Sequence, residues 1–162
     1  MTRSQAAPRA RTTSVAARVG LGILAVFQAI IGVWALFAPA GFYSSFPLPG
    51  HPWVSLLPPY NEHLVRDVGE LSLALTVVLA AAAVIGQWLL SVVAVTAIAV
   101  YAVPHAIFHF LHLEGFPTSD AIAQTVGIAL HLVVIAVVAL LLWRARDRTV
   151  LAPQRKRVNG SA

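Results

Sequence analysis

Four long apolar runs constrain this chain more than any other feature. Crossing the hydrocarbon core of a bilayer takes about 20 mainly apolar residues in a helix. Residues 18–38, 63–85, 88–113 and 121–143 each supply such a stretch. Hydrocarbon gives a lone segment no partner for its backbone N–H and C=O groups, so helices are expected. A membrane β-barrel would show alternating segments of roughly ten residues, and the sequence has none. Average soluble domains carry about 25% charged residues; this chain of 162 carries 10%, with 59% hydrophobic. The composition excludes a water-soluble enzyme. The expected fold class is all-α, a polytopic four-helix membrane bundle.

Basic residues set the expected orientation. Ten of the eleven lie at the two ends: Arg3, Arg9, Arg11 and Arg18 before or at the first run, and Arg144, Arg146, Arg148, Arg155, Lys156 and Arg157 after the last. Four crossings put both ends on one side, and the positive-inside rule makes that side cytoplasmic. The net charge of +5 is therefore a topology signal, with binding to anionic lipid headgroups as a by-product. Nucleic acid is not an expected partner; the bilayer is. The expected location is a bacterial plasma membrane, crossed several times. Residues 1–17 and 144–162 are expected as basic cytoplasmic tails, the first disordered. Ala38, Pro39 and Ala40 resemble a signal-peptidase site. The run before them is longer than the 7–15 residues of a signal core, so the first helix is expected to be retained.

Gly86 and Gln87 should form a tight turn between the second and third spans. The connection from Gly41 to Asn61 is long, rich in proline and aromatics, and uncharged. Such a segment suits the membrane interface and could cap the outer mouth of the bundle. No cysteine is present and the one methionine is Met1, which excludes disulfides, iron–sulfur clusters and thiolate metal sites.

The ionisable residues gather at one level. All six histidines and five of the six acids fall in the outer half; only Asp147 lies at the other end. Ionisable groups within a span are expensive and mark function or a paired interior. At 100° per residue, His63, Arg66, Asp67 and Glu70 share an arc of the second span. Tyr101, His105, His109 and His112 form a stripe on the third, and Asp120, Gln124 and His131 share a face of the fourth. At 1.5 Å per residue, Glu70, His105 and His131 come to similar depths of about 10–16 Å. Pro104 removes a helix hydrogen bond beside His105 and could turn the imidazoles inward.

Histidine nitrogen with carboxylate oxygen suits Zn, Fe, Mn or Cu as a divalent ion. The expected ligands are His105, His109 and His131 with Asp67 or Glu70, and His63 as a neighbouring group. The carboxylate left off the ion, Asp67 or Glu70, would serve as general base in redox or hydrolytic chemistry on a lipid-accessible small molecule. Haem b between His105 and His131, with Arg66 meeting a propionate, is the second expectation. A proton relay is weaker, because the polar groups stop in the outer half. The plain alternative is a non-catalytic accessory or structural subunit whose buried polar network only specifies helix packing.

The segments Trp34-Ala35-Leu36-Phe37-Ala38-Pro39, Pro59-Tyr60-Asn61-Glu62-His63-Leu64-Val65-Arg66-Asp67-Val68-Gly69 and Pro104-His105 with His109 and His112 resemble small, uncharacterised four-helix membrane proteins of actinobacteria, loosely DoxX-like. The resemblance covers residues 18–143 and implies a four-helix bundle in the plasma membrane. DoxX itself is associated with quinol oxidation in archaea; none of its catalytic residues matches a position here, so no site residue is carried over.

Overall fold

A computed structural model describes residues 11–57 and 59–147. Among the described residues the regular elements are helices, one hairpin of two-residue strands and a single bridge between Thr12 and Gln87: α1 (Val15–Phe37), α2 (Pro39–Ser45), β1 (Pro47–Leu48), β2 (His51–Pro52), α3 (Glu62–Ile85), α4 (Trp88–Leu111) and α5 (Thr118–Asp147). Helices α1, α3, α4 and α5 are each long and apolar enough to cross a membrane. They alternate in direction. One end of the bundle, the turn end, holds the α3–α4 turn together with residues 11–14 and the end of α5. The opposite, loop end holds α2, the hairpin and the α4–α5 connection.

Local chemistry marks the helix boundaries. Ser14 caps α1 by accepting from the N–H of Ala17, and Asn61 caps α3 by accepting from that of Leu64. Pro39 both stops α1 and opens α2 as its first residue, where its missing N–H costs nothing. Gly86 ends α3 at φ +67°, the left-handed cap that favours glycine, and so makes the tight turn expected. Pro104 lies within α4, which runs on through it to Leu111.

The helices form a ring in the order α1, α3, α4, α5, with α1 packed most extensively on α3. Small residues make that contact close. A Cβ on Gly69 would lie 2.6 Å from the backbone nitrogen of Leu36, and one on Gly32 would lie 2.8 Å from the Leu73 side chain. Membrane helices gain from such approach because lipid competes equally for larger apolar side chains. Leu21, Leu24, Leu79, Ile98 and Val138, all essentially buried, fill the core toward the turn end.

The N-terminal segment departs from expectation where it is described. Residues 1–10 lie outside the described residues, but Arg11 to Ala17 pack in order. Thr13 N–H donates to the Gly86 carbonyl at 2.7 Å, Trp88 N–H to that of Arg11 at 3.0 Å, and the Thr13 and Ser91 hydroxyls bond at 2.8 Å. Arg11 lies over the Trp88 ring. Backbone groups left open at the α3–α4 turn find their partners in this segment, which is why it is not a loose tail. At the other terminus α5 continues past Trp143 to Asp147; residues 148–162 lie outside the described residues.

Candidate functional site

A cavity of about 300 Å³ opens between α1, α4 and α5 toward the loop end. Gln28 enters it from α1, Tyr101 and His105 from α4, and Gln124 and His131 from α5. The long connection roofs it with Phe46, Pro47 and Trp53. The remaining lining is mostly apolar, and no Asp, Glu, Lys or Arg contributes.

The roof is built as a unit. Pro49 and Gly50, with Gly50 at φ +88°, turn the hairpin with the Pro-then-Gly chemistry of a type II turn. Leu48 pairs with His51 and Pro47 with Pro52. Trp34, Phe42, Phe46 and Trp53 stack edge to face or tilted with centroids 4.7–6.4 Å apart. The free edge of the hairpin is pinned to α5, where His51 Nδ1 stands 2.7 Å from Asp120 Oδ1. Asp120 is buried in the first turn of α5.

Two polar groups at the cavity are left without partners. Gln28 is wholly buried, yet neither its Nε2 nor its Oε1 makes a hydrogen bond. The indole Nε1–H of Trp53 is also buried and unpartnered. Gln124 stands beside His109, though neither Gln124 Oε1 nor His109 Nδ1 makes a hydrogen bond of normal geometry. The large majority of buried side-chain polar atoms in native proteins find a partner, and an orphan costs about 1–3 kcal/mol. A fully buried amide with both ends open, facing an apolar cavity, has the form of a site prepared for a ligand's polar group.

Two of the expected imidazoles meet in this cavity and the others do not. His105 stacks on Tyr101 at 5.4 Å and meets His109 at 4.4 Å. His131 packs on Phe27 of α1 at 5.1 Å. His109 turns toward Gln124 and does not line the cavity. His112 folds back on its own helix, its Nδ1 2.7 Å from the Phe108 carbonyl oxygen.

The expected carboxylates stand elsewhere. Helix α3 turns Val65, Gly69 and Ser72 inward, and Gly69 admits the α1 backbone. The arc of His63, Arg66, Asp67 and Glu70 therefore lies to the side of the packed face, and neither acid lines the cavity. Asp67 has His63 at 3.5 Å on the surface of α3. Glu70 is exposed. Arg66 donates to Glu62 Oε1 from Nε and Nη2, at 2.9 and 2.7 Å, and from Nη1 to the Leu36 carbonyl at the end of α1. It is held at the α1–α3 contact and not beside His105 or His131. Among the described residues, no three of His, Asp and Glu are grouped so as to hold a metal ion. The residues that spacing did not single out are Trp53 and His51; Asp120 was placed on the polar face of the fourth span with Gln124 and His131, but not paired with His51. Gln28 carried a visible signal, as the one polar residue in the middle of its span.

No known family, curated protein or solved structure matches the chain.

Proposed function

We propose that this chain is a multi-pass protein of a bacterial plasma membrane that binds a lipid-accessible small molecule in the cavity between α1, α4 and α5. The distribution of arginine and lysine supports cytoplasmic ends, which puts the turn end inside and the roofed cavity on the outer side. The resemblance to DoxX-like proteins supports the membrane bundle and assigns no residue.

One observation carries the reading: the buried, doubly unpartnered amide of Gln28 at the wall of an apolar cavity. A network that served only helix packing would satisfy its own polar groups, since an unmet one weakens the packing it should reinforce. Proton transfer to or from the bound molecule falls to His105 or His131, which line the cavity, rather than to Asp67 or Glu70, which do not. The test is extraction of the purified protein with organic solvent, followed by mass spectrometry. A stoichiometric small molecule that Gln28→Leu loses supports the reading; an empty wild type that also takes up no lipophilic probe overturns it.

The convergence of His105 and His131 from two helices favours a second reading, a transition metal (Zn, Fe, Mn or Cu) or haem b held by this imidazole pair. Such a group would be held by His105 and His131 alone, because Asp67, Glu70 and His109 do not line the cavity. A Soret band, or about one equivalent of metal, lost in His105→Ala and His131→Ala would establish this reading.

A further inference from the structure

The wall of the cavity has a gap that faces lipid. The seam between α1 and α5 is closed at two levels. Near the turn end Gly20 meets Val138, whose Cγ2 would lie 2.5 Å from an added Cβ. Nearer the middle, Phe27 meets His131. The next position on that stripe of α5, one turn further toward the loop end, is Gly127. It lines the cavity, it is exposed, and nothing lies within 4 Å of where its Cβ would be. The seam is thus open at Gly127, between the Phe27 and His131 rings on one side and the roof on the other.

The chemistry inside selects what can enter. A charged headgroup would meet no fixed counter-charge in an apolar cavity, and leaving water or the headgroup layer uncompensated is costly. Trp53 Nε1–H can only donate, so it needs an acceptor. The amide of Gln28 has a donor end and an acceptor end, both open. A hydroxyl both donates and accepts and satisfies both ends. A carbonyl or ether leaves Gln28 Oε1 unmet.

We propose that the cavity admits an uncharged lipid alcohol sideways from the outer leaflet through the gap at Gly127, with the lipid hydroxyl held by Gln28 and an acceptor oxygen by Trp53. This rests on the small-molecule reading above and names the ligand class for the same cavity.

The test is quenching of Trp53 fluorescence by brominated lipids in detergent, read as the difference between wild type and Trp53→Phe. Three probes share the same dibrominated acyl chains: diacylglycerol, phosphatidic acid, and diacylglycerol with its hydroxyl acetylated. Diacylglycerol is expected to quench the Trp53 component saturably. Acetylation, or Gln28→Leu, is expected to weaken binding about tenfold, the effect of losing one or two hydrogen bonds. Phosphatidic acid is expected to quench no better than the acetylated lipid. Gly127→Phe, built into open space, is expected to slow quenching without lowering thermal stability. Equal quenching by phosphatidic acid or by the acetylated lipid overturns the ligand class and leaves the small-molecule reading standing. Unchanged kinetics in Gly127→Phe overturn the route. Absence of quenching by all three, in protein from which solvent still extracts a native small molecule, overturns this inference alone; absence of both overturns it together with the reading beneath it.

Discussion

Arg18 and Arg66 stand at opposite ends of the α1–α3 pair, and each reaches across to the C-terminal carbonyls of the other's helix. Arg18, in the first turn of α1, donates from Nε to the Ala83 carbonyl at 2.7 Å and from Nη2 to that of Val84 at 2.9 Å. Arg66, in the first turns of α3, donates to the carbonyl of Leu36. The last carbonyls of a helix lack intrahelical partners and carry the negative end of its dipole, so a guanidinium is well placed at both. The exchange fixes the antiparallel register in which Gly69 meets Leu36 and Gly32 meets Leu73.

That arrangement makes Arg66 a residue of packing rather than of cofactor binding. Arg66→Ala is expected to lower stability by about 1–2 kcal/mol and to leave any extracted molecule, metal or haem content per folded protein unchanged. Lysine at this position should recover less than half of the loss, since one ammonium cannot serve Glu62 and Leu36 together in the same geometry. Urea or thermal unfolding in detergent, with spectra before and after, checks both points.

Gln28→Leu or Gln28→Met should make the empty protein more stable, by about 1 kcal/mol, because an orphaned buried amide is removed at similar volume. The same substitutions should weaken retention of the bound molecule about tenfold, enough to lose it during purification. A rise in unfolding temperature paired with a loss of extractable ligand is the signature; a fall in stability would mean that Gln28 is satisfied in the native membrane by another route.

Two glycines on opposite helices of the ring, α3 and α5, should respond oppositely to alanine. At Gly69 the new methyl meets the backbone of Leu36 and must push α1 and α3 apart, with an expected cost of about 1–3 kcal/mol. At Gly127 it meets nothing and relieves backbone entropy in a helix, with an expected gain of about 0.5–1 kcal/mol. Parallel unfolding curves of the two variants decide the matter.

The roof should loosen when its pin is drawn. His51→Ala leaves the buried carboxylate of Asp120 without its partner, and hydrogen exchange across residues 46–53 is expected to accelerate. Asp120→Ala should do the same. The double variant should cost less than the two single variants added, by about 1 kcal/mol of coupling. Strict additivity would show that the contact does not hold the roof.

Much of the architecture was legible because it follows from one-dimensional signals. The lengths of the apolar runs, Pro39 after the first and Gly86 between the second and third placed the four helices to within a few residues. The direction of polar arcs was not legible. In a membrane both the packed side and the lipid side of a helix are apolar, so the arc of His63, Asp67 and Glu70 did not reveal which way it faced. Gly32, Gly69 and Ser72 held that information, as small residues that let backbones approach. The matching depths of His105 and His131 did identify two helices that share a cavity. The pairing of His51 with Asp120, and the fold of Trp53 over the cavity, depend on a loop path that no periodicity encodes.

The two ends of the bundle are fastened unequally. At the turn end, backbone hydrogen bonds of residues 11–13, the bonded hydroxyls of Thr13 and Ser91, the reach of Arg18, and the bond from Trp88 Nε1 to the Leu142 carbonyl at 3.0 Å tie all four long helices together. At the loop end, aromatic contacts and one imidazole–carboxylate clasp hold the covering segment. The restraints therefore have a built-in polarity: the roofed mouth can yield while the opposite end keeps the helices in register, so opening at one end need not loosen the scaffold at the other.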